Sequence, residues 1–404
     1  MGNGSSNSSE HLKQSEANLL NWGLNWYKNT EVLDKNRSRL SWKAYDVPIS
    51  IPNVVKKTSD QTRGHIHTVE FMNEDVDTTD KTPIVLMHGY GAGTGHYYSM
   101  LPGIADSWKG KVFSIDSFGS GLSSRPKWTL GVGDKVPAET AESYFVDAIE
   151  AWRETQKIEK MVLFGHSLGG YLSVAYAEKY PQRVEQLILC SPVGIPEKPE
   201  LDPKNLPMFY RFARTLWNNG FTPYHAVKAT GRRFVGKYVD RRFEDSSWTN
   251  KELLKEYMYR NWTTGNISAG GYAHATLLEP GAYARKPLHS RLHDVATSVG
   301  QISFIYGTED WMNVNHAINV RTTFFSKANS VSQSSRLPIR IFQIEGGGHN
   351  MFIDNPLGVV DAIQECVTVD QSRTNVDHNQ VPRLGEIYLR KDFQAKSFTT
   401  EVAA

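Results

Sequence analysis

The chain has 404 residues, 45 Lys/Arg against 43 Asp/Glu, and two cysteines. That length holds one large α/β domain with an insertion, or two ordinary domains, and either buries a sizeable core. A net charge of +2 gives no global case for nucleic-acid binding, two cysteines make no disulfide framework, and no apolar run reaches the roughly eighteen residues of a membrane span.

The N-terminal extension, residues 1–45, begins Met-Gly-Asn-Gly-Ser-Ser. This fits M-G-x-x-x-S/T, the pattern for myristoylation of Gly2, and a single acyl chain would need a second membrane contact to anchor the protein. Residues 1–12 are polar and are expected to be disordered. Residues 15–45 contain an amphipathic helix carrying Leu19, Leu20, Trp22, Leu24, Trp26 and Tyr27. Such a helix either packs on the core or lies on a bilayer, and packing is the commoner use. The extension has four acids, few arginines and no secretory signal, which argues against secretion and weakens a mitochondrial presequence. The expected location is intracellular, peripherally on a membrane or lipid droplet.

From residue 46 to 195 strands and helices alternate. "GHIHTVEFM" has the period of an early antiparallel strand. "TPIVLMHGYG" and "GKVFSIDSFGSGLSS" are buried strands running into glycine loops. "AESYFVDAIEAWRETQKI" has helical spacing. "EKMVLFGHS" is a strand followed at once by the helix "LGGYLSVAYAEKY", which Pro181 stops, and "VEQLILCSPVG" is the next strand. The rhythm breaks over residues 196–295, which are helical, irregular and aromatic. Strands resume at "QISFIYGTED" and "LPIRIFQIEGGGH", and a last helix follows with Asn355 as N-cap and Pro356 at its first position. Residues 371–404 read as a polar tail. Near-continuous apolar strands alternating with helices predict an α/β fold, a mostly parallel sheet covered on both faces, with residues 196–295 inserted as a helical lid above the strands' C-terminal ends. Cys190 and Cys366 lie in apolar runs and are read as buried thiols of a reducing compartment.

Gly165-His166-Ser167-Leu168-Gly169 matches G-x-S-x-G between that strand and that helix. The spacing suits a sharp turn on which the serine is backbone-strained and the glycines allow close approach. A serine hydroxyl is a poor nucleophile near neutral pH and needs a base, which needs an orienter. In this fold the chain order is Ser, then Asp or Glu, then His. His349 follows "IFQIEGGG" and Asp310 follows "FIYGTE", both at strand ends. Glu309 is the alternative orienter, with Asp310 favoured for its G-x-x-D spacing from Gly307. The oxyanion donors are expected to be the backbone N–H groups of Leu168 and, from His88-Gly89-Tyr90-Gly91, of Tyr90. His88 and His166 are read as packers of the loop. No metal or cofactor is expected.

Through "VLMHGYGAG", "SIDSFGSGLSSRP", "GHSLGGYLSVAYA", "GAYARKPL", "IYGTEDWMN" and "GGHNMFIDNP" the chain resembles the α/β-hydrolase-domain lipid enzymes over nearly all of residues 70–367. Within them it is similar to the branch of N-acyl-phosphatidylethanolamine lipases and lysophospholipases, cardiolipin deacylases and the lipid-droplet lipase coactivator. The coactivators lack the nucleophile, whereas this chain has Ser167, so the resemblance implies an active enzyme with a site under the lid for an acyl-glycerol phospholipid. The branch is also associated with H-x-x-x-x-D, tied to acyl transfer onto lysophospholipids and here running from His349 to Asp354. Asp354 is read instead as serving the N-terminus of the last helix.

The lid holds sixteen Lys/Arg against ten Asp/Glu, and fifteen Phe, Trp or Tyr. Its "GRRFVGKYVDRRF" brings Arg232, Arg233, Arg241 and Arg242 together as candidate contacts for an anionic phospholipid, with the rings at the interface. The expected activity is serine-dependent hydrolysis of acyl esters in phospholipids or lysophospholipids. A lysophospholipid acyltransferase using the same three side chains, a non-catalytic lipid-droplet coactivator and a soluble small-molecule esterase are the alternatives. An epoxide hydrolase normally uses Asp where this chain has Ser167.

Overall fold

Nine runs of mostly β-branched, aromatic and aliphatic residues line up in one sheet. They are β1 (Leu40–Pro52), β2 (Gln61–Asn73), β3 (Ile84–Met87), β4 (Val112–Ile115), β5 (Met161–His166), β6 (Val184–Cys190), β7 (Ile302–Gly307), β8 (Ile339–Ile344) and β9 (Tyr388–Arg390). Their order is β1-β2-β4-β3-β5-β6-β7-β8-β9. β2 is antiparallel to β1 and β4, and every other pair is parallel. This computed structural model describes residues 3–30, 38–52, 61–199, 208–244, 249–265, 269–328, 339–368 and 388–390.

The helices are α1 (Asn3–Asn29), α2 (Leu101–Trp108), α3 (Ala138–Thr155), α4 (Leu168–Lys179), α5 (Met208–Asn218), α6 (Pro223–Thr230), α7 (Arg232–Arg242), α8 (Lys251–Thr263), α9 (Ala269–Leu277), α10 (His289–Val299), α11 (Asn315–Ala328), α12 (Met351–Asp354) and α13 (Pro356–Val367). Every residue of β3, β4, β5 and β7 is buried because both faces of the sheet are covered. One core layer joins α3, α4, α10 and α11 to side chains such as Val85 and Leu163. The other joins α1, α2 and α13 to Leu86 and Phe164, and continues upward into α6, α7 and α8. Cys190 and Cys366 are buried free thiols, and burial pushes the Cys366 pKa up to about 12.

The N-terminus departs from expectation. Of the twelve residues expected to be disordered, residues 3–12 are helical instead, because α1 already starts at Asn3 and Leu12 is buried. Leu12, Leu19, Leu20 and Tyr27 form one stripe that packs on the core, burying each leucine for about 2 kcal/mol. Gly2 lies outside the described residues. The end of the extension is strand: β1 starts at Leu40 and carries Pro48, which an edge strand tolerates because its missing N–H need not serve a neighbour. Two further differences concern the second half. α10 packs in the sheet's core layer through Leu292, Val295 and Ala296, so the helical cap proper is α5–α9. Within the expected polar tail, β9 pairs in parallel with β8, and three residues are too few to show a period.

Candidate functional site

The site begins at the β5–α4 turn. Ser167 has φ 54° and ψ −117°, a conformation that side-chain-bearing residues rarely adopt. The two motif glycines make the turn possible. A Cβ at Gly165 would lie 2.5 Å from the Ser173 Oγ, and one at Gly169 would overlap the Met87 carbonyl. Leu168 opens α4, so its N–H has no acceptor within the helix and points to the helix's positive end.

β7 and β8 deliver the other two side chains. His349 Nε2 lies 3.1 Å from Ser167 Oγ, and its Nδ1 lies 3.2 Å from Asp310 Oδ1. A carboxylate only accepts, so Nδ1 carries the proton and Nε2 accepts from the serine hydroxyl. The Asp310 side chain is fully buried, and the Met312 N–H also donates to its Oδ1 at 2.9 Å. Ser191 Oγ donates to Oδ2. The predicted Ser167, Asp310 and His349 are thus brought together in one relay. The alternative orienter Glu309 is exposed and its N–H donates to the Gly347 carbonyl at 2.9 Å, so it is Asp310 that bonds the imidazole. Chemically, the relay can pass the Ser167 proton to an imidazole whose far side is held by a buried carboxylate.

The neighbouring histidines support this frame. His166 Nε2 donates to the His349 carbonyl at 2.8 Å, and burial together with His349 holds its pKa well below the usual value. His88 donates from Nδ1 to the Gly89 carbonyl and accepts the Ser117 N–H on Nε2. Burial lowers the His88 pKa as well, against the opposing pull of Asp116. Gly89 brings the following loop against the serine, since a Cβ there would sit 3.0 Å from Ser167 Cβ. Tyr90 follows in that loop, its ring edge-on to Tyr224 and His274. Trp262 Nε1 donates to the Gly91 carbonyl at 2.5 Å and secures the loop from α8.

Above Ser167 and His349 lies a cavity of about 340 Å³. Its walls are mainly apolar: Val227 of α6, Phe234 and Val235 of α7, Phe243, and Met258 and Trp262 of α8. The predicted cations fall outside that wall. Arg232 pairs with Glu256 at 2.9 Å and covers the Tyr259 ring, while Arg233 and Arg241 are exposed. Arg242 forms a two-pronged ion pair with Asp354, at 3.1 and 2.6 Å. Asp354 precedes the N-cap of α13, as expected, and its carboxylate also accepts from Arg242 and the Gly348 N–H.

Sequence reasoning missed Ser191 and Trp311. Ser191 has φ 45° and belongs to no motif, so only the strand order that sets β6 beside β7 reveals it. Trp311 is 63% exposed and lies with its ring 5.0 Å from that of His349. An aromatic next to a candidate orienter is the one signal that could have marked it.

A sheet of this order, with a strained serine on its central turn, defines the class, and the comparisons agree: the chain belongs to the α/β hydrolase fold family, whose model matches residues 82–356. It is 32% identical over 323 residues to a 1-acylglycerol-3-phosphate O-acyltransferase of Arabidopsis thaliana, covering 76% of this chain and 70% of that one. It is 30% identical over 303 residues to the (lyso)-N-acylphosphatidylethanolamine lipase of Mus musculus, covering 72% and 81%. Among solved structures, the carboxylesterase CesB of Bacillus subtilis superposes with a TM-score of 0.54 at 14% identity, over 89% of this chain and 98% of that one, which shows the shared fold.

Proposed function

We propose that this protein is a serine-dependent hydrolase that cleaves acyl esters of phospholipids or lysophospholipids through an acyl-enzyme. The observation that carries the proposal is the Ser167–His349–Asp310 relay opening into an apolar cavity. Ser167 Oγ attacks the ester carbonyl while His349 Nε2 takes its proton. The oxyanion is met by the N–H groups of Leu168 and Tyr90, each such donor contributing about 3 kcal/mol in related chemistry. His349 then protonates the departing alcohol, and a water activated by the same nitrogen releases the fatty acid. The phospholipid class is supported by the name of the mouse relative.

The test is labelling by a fluorophosphonate probe together with Ser167→Ala. The wild type is expected to be labelled at Ser167, and the variant to lose roughly 10⁴-fold or more in turnover. Undiminished turnover by the variant overturns the proposal. A second reading, acyl transfer to a lysophospholipid, is favoured by the name of the Arabidopsis relative. It shares the acyl-enzyme and differs in the acceptor; net formation of diacyl lipid from a lysophospholipid and an acyl donor would establish it.

The exposed face of α5 supports work at a lipid surface. Met208, Phe209 and Phe212 are 85%, 81% and 61% exposed, and the same helix carries the exposed Arg211, while Arg214 pairs with Glu279. Apolar tips beside a cation suit an anionic bilayer.

A further inference from the structure

We propose that the Arg242–Asp354 pair couples the seating of α7 over the cavity to the placement of His349 over Ser167, making Arg242 and Asp354 positioning residues. This rests on the serine-hydrolase function proposed above.

α7 does two things at once. Phe234, Val235 and Tyr238 form the cavity roof, and Arg242 at its last turn reaches down to the loop that carries His349. Both Arg242 Nη atoms are held by both Asp354 oxygens, a directional charge-assisted fork. The Asp354 Oδ2 that takes Nη2 at 2.6 Å also accepts the Gly348 N–H at 2.8 Å. Gly348 immediately precedes His349. The guanidinium packs against that glycine: a Cβ at 348 would overlap Arg242 Nη2 and stand 3.0 Å from Cζ. Roof, guanidinium, carboxylate and base-bearing loop are therefore one mechanical chain. The Nε2–Oγ distance at its end is 3.1 Å, and a misplacement of about 1 Å can reduce such catalysis roughly 100-fold.

A consequence for specificity follows. A long acyl chain fills the cavity and holds the roof down by its own contacts with Phe234 and Tyr238, whereas a short ester depends on the fork to keep the roof seated. Weakening the fork thus penalises short substrates more than long ones, which a general loss of folding does not do.

The experiment compares wild type, Arg242→Ala, Arg242→Lys, Gly348→Ala and the double variant Arg242→Ala/Gly348→Ala. Readouts are turnover of p-nitrophenyl butyrate and p-nitrophenyl laurate in the same detergent, labelling of Ser167 by a fluorophosphonate, and hydrogen exchange of residues 345–355. For Arg242→Ala the butyrate kcat is expected to fall tenfold or more and the laurate kcat less than threefold, with labelling slowed and the loop exchanging faster. Arg242→Lys, which keeps the charge but loses the fork, should fall between. Gly348→Ala is expected to mimic Arg242→Ala in the native background and to add less than twofold to it, since the group it displaces is already gone. Equal losses for both esters, additive effects of the two substitutions, or unchanged loop exchange in Arg242→Ala overturn the coupling. If wild type is not labelled at Ser167, the hydrolase proposal fails, and the exchange of residues 345–355 still decides the coupling.

Discussion

Ser191 donates to Asp310 Oδ2 while the Met312 N–H and the His349 Nδ1–H share Oδ1. Each donor fixes the carboxylate plane, and through it the imidazole. Ser191→Ala is therefore expected to lower kcat on a soluble ester about tenfold with KM little changed, in line with a lost charge-assisted bond of about 1.5–3 kcal/mol. Unchanged kcat would show that two donors suffice. The order serine, aspartate, histidine was legible in the chain because each side chain ends a strand, and strand ends are readable from apolar runs. The donors behind them were not legible. Ser191 touches Asp310 because β6 and β7 are neighbours, and that adjacency is made by an insertion of more than a hundred residues folding away between them.

Helix α1 was recognisable by its apolar stripe, but the stripe does not say what it covers. Its seat is set by Gly23, where a Cβ would overlap the Tyr98 carbonyl, and by Glu16, which bonds Thr94 Oγ1 and His67 Nε2 from within the core. Trp22 and Trp26 stack at 6.5 Å and remain half-buried. Gly23→Ala must push the helix off a backbone atom that cannot swing aside. It is expected to destabilise the fold by about 1–3 kcal/mol, read as a lower unfolding midpoint, while Ser167 labelling at low temperature persists. An unchanged midpoint would mean that α1 is not docked in solution. At the same scale the lid's helices were legible as an interruption, yet which of them roof the cavity was not. α5 and α7 are both amphipathic. α5 leaves Phe209 and Phe212 exposed away from the cavity, whereas α7 lines the cavity with Phe234, half of which stays exposed, and with the buried Val235. Phe209→Asp with Phe212→Asp is expected to weaken binding to anionic vesicles at least tenfold without altering turnover of a soluble ester; equal binding would locate the lipid contact elsewhere.

The same network that seats α1 makes the whole molecule sensitive to pH. His67 is buried, which lowers its pKa, but Glu16 and Asp46 flank it at 2.8 and 2.9 Å and carry it up to about 10. The folded protein therefore binds this proton more tightly than the unfolded chain, whose histidine titrates near about 6.5. The stabilisation is complete below that pH and is lost as pH rises toward 10, at up to about 1.4 kcal/mol per pH unit. Chemical denaturation between pH 7 and 10 should show this slope, and His67→Gln should flatten it; a slope that survives the substitution assigns it to another group. Composition, apolar periodicity and the G-x-S-x-G turn were enough to read an α/β hydrolase and to single out Ser167, Asp310 and His349, which the fold brings within hydrogen-bond distance, because burial and tight turns impose local patterns on a chain. The partners of Arg242, Ser191 and Glu16 came from the folded arrangement, because a charge or hydroxyl carries no mark of what it will meet. That is decided by which strands lie side by side and which helices close over them.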